Sequence, residues 1–284
     1  MSYTQSDIIE YYHTCENSYR DIWHLDECMA MHLGIWDHDV KTLKQALLKE
    51  NEILARLGNI TQTDHVLDAG CGVGGSSVWL AKHIGCKATG ITLVDKQVQN
   101  ATLNAQKNGV AHLVNFEQKD YTHTEYPNES FDVVWAVNSA CYAGPKSAFI
   151  NEAYRLLRPG GRLLISDAFQ GKDFLNEVET TLLYDKTYHG WVVESLETPH
   201  GFITQMEAAG FKSCQYIDHT KQTKPSVKRL LWYYFPATLY NFLSLFLGKK
   251  FTKIQKKNTS MIYHLYQSLN QGLWKYGMVV GVKN

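Results

Sequence analysis

Apolar residues in KTLKQALLKENEILARLG, residues 41–58, return at steps of three and four, the period of an amphipathic helix, and the run closes on Gly58. Two shorter stretches of similar texture precede it, IIEYYHTC and SYRDIWHL, so the chain before Thr61 reads as a series of helices. Beyond Thr61 the pattern changes. Short apolar runs (HVLDAG, KATGITL, VNFEQKD, FDVVWAV, RLLISDAF) alternate with helical stretches (SSVWLAKHIG, KQVQNATLNAQKNG, KSAFINEAYRLLRPGG). Strands separated by helices of this length imply right-handed crossovers and a parallel sheet with helices on both faces. FITQMEAAG reads as one more helix, and KSCQYID and WKYGMVVGVK as two further strands. The pattern predicts an α/β, doubly wound sheet of about seven strands over residues 61–284. Residues 1–60 form a helical cover, and insertions interrupt the sheet at about 170–197 and 220–272.

Composition narrows the partners. At 284 residues the chain is read as one elaborated domain. Its 28 Lys and Arg balance 28 Asp and Glu, so it lacks the basic field of nucleic-acid binders, and nucleic acid is not expected as a partner. The six cysteines form no C-x-x-C pair, which suggests neither a metal site nor a disulfide framework. Reduced thiols and an N-terminus without an apolar signal region point to the cytoplasm.

VLDAGCGVGG, residues 66–75, follows an apolar strand and opens a helix, the place where backbone comes close to a ligand. Asp68 before the first glycine would repel a pyrophosphate; it would instead attract a cationic ligand or orient the glycines by bonding to backbone. The tract resembles motif I of class I S-adenosylmethionine-dependent methyltransferases. Residues 66–104 are similar to the tocopherol and sterol C-methyltransferases and, more distantly, to the cyclopropane fatty-acid synthases. That resemblance implies a Rossmann-like methyltransferase fold and S-adenosyl-L-methionine as cofactor, seated on Asp68, Gly70, Cys71, Gly72 and Gly74. Most class I enzymes place an acid after the second strand for the ribose hydroxyls. Here GITLV has Thr92 instead, a departure those families share, and the resemblance assigns the ribose side to Thr92, Leu93 and Gln97. It also assigns Asp120 to the adenine amino group, Tyr121 to the ring face, and Asn138 to the neighbourhood of the reactive methyl. Where the tocopherol and sterol enzymes carry acidic and histidine residues, this chain reads Asn138-Ser139-Ala140-Cys141-Tyr142, which leaves the catalytic groups open. NSACY also lacks the Asn/Asp-Pro-Pro-aromatic motif of base-modifying members.

MAMHLGIWD, residues 29–37, resembles the His-x-Gly-aromatic arm that covers the ligand in tocopherol-like and glycine-type enzymes, with Tyr19 and His32 matching its motif positions. Tyr11, Tyr12, Trp23 and Trp36 fit either a pocket wall or a packed core. His32, Tyr142 and His189 are the candidate bases for a phenol or amine acceptor. The uncharged run Leu230 to Gly248, flanked by Lys228, Arg229, Lys249 and Lys250, approaches the length of a membrane span, but a crossing would strand the last strand on the far side. It is expected to be a substrate lid or a peripheral, interfacial contact with a membrane. The expected activity is C-, O- or N-methylation of a hydrophobic small molecule: isoprenoid, sterol-like, phenolic or polyketide. Membrane-lipid methylation and a non-catalytic S-adenosylmethionine-binding protein are the alternatives.

Overall fold

The computed structural model describes residues 3–246 and 252–284. Thr4 and Asp7 cap each other at the start of α1 (Gln5–Trp23). IIEYYHTC and SYRDIWHL, read above as separate helices, are one: no proline or glycine divides them, and Tyr11, Cys15, Tyr19 and Trp23 keep one face buried at steps of four. A single turn, α2 (Leu25–Cys28), leads into the extended arm around Met29–Trp36 and then α3 (Leu43–Leu57).

From there strands and helices alternate as β1 (His65–Ala69), α4 (Gly75–His83), β2 (Lys87–Thr92), α5 (Asp95–Lys107), β3 (Val114–Gln118), β4 (Phe131–Val137), α6 (Lys146–Leu156) and β5 (Leu157–Gln170). After the short α7 (Glu177–Thr180) come α8 (Pro199–Ala208), β6 (Phe211–Asp218), α9 (Thr220–Phe246), α10 (Lys253–Asn270) and β7 (Trp274–Lys283). The seven strands form one sheet in the order β3-β2-β1-β4-β5-β7-β6; β1 to β5 are parallel, and β7 runs antiparallel between β5 and β6. Both faces are covered, so the central strands read as nearly continuous apolar runs. Val66, Val133 and Trp135 pack on one face with Ile53, Leu54 and Leu80. Leu67, Val134 and Ala136 pack on the other with Phe149, Ile150, Phe202 and Met206.

Ile53 and Leu54 belong to α3, so this helix is part of the layer on the sheet rather than of the expected cover through residue 60. The cover narrows to α1, α2 and the arm. Together with the insertions after β5 and β6 these enclose a separate aromatic cluster that includes Tyr11, Tyr19, Trp23, Tyr188, Leu230, Met261 and Tyr276. No helix among the described residues is long and apolar enough to cross a membrane. Leu247 and Gly248, the end of the expected lid segment, and the flanking Lys249 and Lys250 lie outside the described residues.

Candidate active site

The chain crosses in opposite directions from β1 and from β4, which opens a crevice beyond their carboxyl ends, where doubly wound sheets bind ligands. A cavity of about 840 Å³ occupies it. His32, Asp68, Gly70, Cys71, Gly72, Thr92, Leu93, Gln97, Tyr121, Asn138 and Tyr142 all line this cavity. Gly72 has φ +53°, and a Cβ there would meet Met31 Cε at 2.9 Å and otherwise the open cavity. A Cβ on Gly75 would run into the Met29 carbonyl, so the arm crosses the start of α4 in backbone contact. Asp68 is buried and accepts from Ser77 Oγ at 2.6 Å; burial pushes its carboxyl up to about 6, with the Ser77 bond opposing. Thr92 Oγ1 donates to Gln97 Oε1 at 2.7 Å, which leaves the amide N–H groups of Gln97, a residue lining the cavity, as donors. Tyr121 is fixed by its hydroxyl bond to the Ser139 carbonyl, at 2.7 Å.

Three expected contacts are not brought to this cavity. Gly74 starts α4 in a left-handed conformation against Ala101 and Phe116, behind the tract. The Asp120 carboxylate is taken by Gln5 Nε2, at 2.6 Å, and by Thr122 N–H and hydroxyl. Tyr19 lines a second, adjoining chamber of about 480 Å³.

That second chamber has aromatic walls, Tyr12, Tyr19, Trp23, Tyr188 and Trp191, and shares Tyr12, Met31, Asn138 and Tyr142 with the first. One acid faces it. Asp167, at the carboxyl end of β5, is buried and accepts from Cys141 N–H at 2.9 Å and Ala168 N–H at 2.7 Å. Burial lifts its carboxyl to about 6, opposed by those two bonds and by Lys146. Behind the shared wall, His32 Nδ1 lies 2.6 Å from Glu50 Oε2, and Ser166 Oγ and Tyr276 hydroxyl each reach Glu50 Oε1 at 2.6 Å. Burial pushes the Glu50 carboxyl up, but His32 and the two hydroxyls outweigh it and hold the group below its ordinary value. Glu50 thereby fixes, through Nδ1, the ring of His32, a residue that lines the cavity. Tyr276 is also 2.7 Å from Asn138 Oδ1, which ties this network to the loop after β4.

Two of the candidate bases do not fit that role. Burial drives the Tyr142 phenol well above its ordinary value, so it stays protonated and serves as a hydrogen-bond partner, accepting from Tyr12 at 3.2 Å. His189 lines neither chamber; its ring sits 3.2 Å from Asp185 and edge-on to Tyr3. Asp167 and Glu50 were missed from sequence. Each carried a signal: Glu50 falls on the buried stripe of α3 with Ala46, Leu47, Ile53 and Leu54, and Asp167 follows Ser166, the last β5 residue paired in parallel with β4, near the carboxyl end of the strand.

Comparison with known proteins bears on the family and the fold. A family described as a methyltransferase domain matches residues 67–165. The 27-O-demethylrifamycin SV methyltransferase of Amycolatopsis mediterranei is 38% identical over 137 residues, 48% of this chain and 50% of that protein, so the match spans half of the relative's length. The chloroplastic tocopherol O-methyltransferase of Arabidopsis thaliana is 31% identical over 235 residues, 77% of this chain and 66% of that one. Among solved structures, geranyl diphosphate C-methyltransferase from Streptomyces coelicolor, in complex with Mg2+, geranyl diphosphate and S-adenosyl-L-homocysteine, shares the fold with TM-score 0.76 and 18% identity over 99% of this chain and 97% of that one. With its glycine tract, its strand order and these relatives, the chain belongs to the class I S-adenosylmethionine-dependent methyltransferases.

Proposed function

We propose that the protein transfers a methyl group from S-adenosylmethionine to an apolar, hydroxyl-bearing small molecule of isoprenoid or polyketide type. The observation that carries this reading is the pair of chambers with a shared wall, one floored by the glycine tract, the other aromatic with a single buried carboxylate. The first chamber fits the donor: the open space above Gly72 admits it, the Gln97 amide can donate to a diol, and Asp68 complements a cationic amino acid. When bound, the donor supplies a methyl group already activated on a positively charged sulfur. The chain's own work is then alignment, exclusion of water and handling of one proton. Tyr12, Tyr19 and Trp23 give the acceptor flat apolar walls, and Asp167, largely ionised at pH 7, takes the hydroxyl proton. The relatives named for O-methyl transfer, to a rifamycin and to tocopherol, support an oxygen acceptor of this kind.

Incubation of the chain with labelled donor and a panel of prenylated phenols and macrolide alcohols tests the reading. Label is expected in the organic phase for at least one of them. No label in any fraction, with donor binding intact, would overturn transfer and leave a binding protein.

Donor binding should also depend on pH through Asp68. Both raised carboxyls, Asp68 and Asp167, favour the folded, ligand-free chain below about pH 4, and that contribution is lost as pH rises through about 6. A ligand ammonium near Asp68 favours the ionised form. Calorimetry with S-adenosylhomocysteine should therefore show affinity falling below pH 6, by up to about tenfold per unit. A constant affinity from pH 8 to 5 would remove Asp68 from the donor site.

A further inference from the structure

Charge is distributed unevenly along this neutral chain. Asp218 is its last acidic residue, and eleven lysines and arginines follow it, most of them on or between α9 and α10. On α9 one face carries Thr223, Ser226, Val227 and Leu230, all buried against the aromatic cluster and the arm. On the opposite side Lys221, Lys224 and Lys228 are followed, at steps of three and four, by Trp232, Phe235, Leu239 and Leu243, within a stripe about 100° wide. Trp232 is 81% exposed, Phe235 66%, Leu239 58% and Leu243 52%, far beyond the scattered single apolar residues of an ordinary surface. No ion pair among the described residues engages Lys221, Lys224, Lys228 or Lys256.

We propose that this outer face of the α9–α10 hairpin docks on an anionic phospholipid bilayer. The stripe has the composition of an interfacial helix: bases at the level of the phosphates, then an indole and a phenyl ring that enter the acyl boundary. An anionic surface matches the unpaired lysines, and a hydrocarbon edge matches the exposed rings, so both halves of the stripe are satisfied by one partner. No helix among the described residues is long and apolar enough to cross, and Pro236 in the middle of α9 is tolerable for a helix lying in the interface, where water reaches the freed carbonyl. The inner side of the same hairpin, through Met261 and Ile262, packs on Tyr19 and Trp23 of the aromatic chamber. Resting on the transfer proposed above, the acceptor would then reach the chamber from the lipid phase.

Co-sedimentation of the full chain with vesicles tests the docking. With about one third phosphatidylglycerol in phosphatidylcholine, most of the protein is expected in the pellet, and pure phosphatidylcholine should lower the partition coefficient at least about tenfold. Trp232→Ser with Phe235→Ser, and separately Lys224→Glu with Lys228→Glu, should each lower it about tenfold or more while calorimetric binding of S-adenosylhomocysteine stays unchanged. Full recovery in the supernatant with every vesicle would overturn the docking, as would pelleting that neither variant alters. A dimer in ultracentrifugation that the aromatic variant dissociates, with no vesicle binding, would assign the face to a second copy of the chain. Loss of donor binding by the unsubstituted chain would instead strike the pocket and leave the docking to the pelleting result.

Discussion

Gly72→Val is expected to weaken S-adenosylhomocysteine binding by about a hundredfold or more, read by calorimetry, while the chain still folds. Two effects act together. The backbone at Gly72 sits at φ +53°, where a β-branched residue is strained by about 1–3 kcal/mol. The added isopropyl group also takes up space beside the cavity that Gly72 lines, because outside the adjoining residues only Met31 Cε lies within 4 Å of the Cβ position. The strain weakens the fold, and the filled space weakens the ligand. A thermal melt separates the two, since only the second effect abolishes the ligand-induced rise in melting temperature. Gly144→Ala is the matched control: its Cβ meets nothing within 4 Å, its φ is not in the left-handed region, and binding should be unaltered. Undiminished affinity in Gly72→Val would show that the donor does not pass over this turn.

The parts of this site that were legible in sequence are those set by local backbone chemistry. The Gly70–Gly75 tract must be nearly free of side chains wherever it folds, and Thr92 and Gln97 are close in sequence and joined by one hydrogen bond. The sheet was legible for the same reason, since β1 and β4 are buried on both faces and their apolar runs say so. What escaped was long-range. Glu50 looks like one more solvated charge in KENE, and only the approach of His32, Ser166 and Tyr276, from three distant parts of the chain, makes it an internal acceptor. Asp120 shows the converse case. Its motif position matches, but Gln5, 115 residues away, holds the carboxylate outside the cavity. His189 was a candidate base, and burial lowers its basicity in a corner facing Tyr3 and Asp185 instead of a chamber.

Asp167→Asn should reduce turnover by about 100-fold or more with donor affinity little changed, the range expected for removing a general base. Asparagine keeps the shape and one acceptor oxygen, but its amide must face either Cys141 N–H or Ala168 N–H, both of which now donate to the carboxylate. One buried N–H is then left without a partner, at about 1–3 kcal/mol. Against that, the neutral side chain no longer bears the desolvation that lifts the Asp167 carboxyl to about 6, so the variant should lose little stability near pH 7. A merely structural role would give the same small stability change and no more. The pH profile distinguishes them: in the unsubstituted chain turnover should fall as pH drops through about 6 and Asp167 gains its proton, whereas residual turnover in the variant should lack that limb. The rival base is His32, which lines the first chamber while Glu50 holds its Nδ1 and leaves Nε2 as the other ring nitrogen. If Asp167→Asn stays within a few-fold of the unsubstituted rate and His32→Gln does not, the proton leaves through the histidine, and Asp167 only anchors the Cys141 turn.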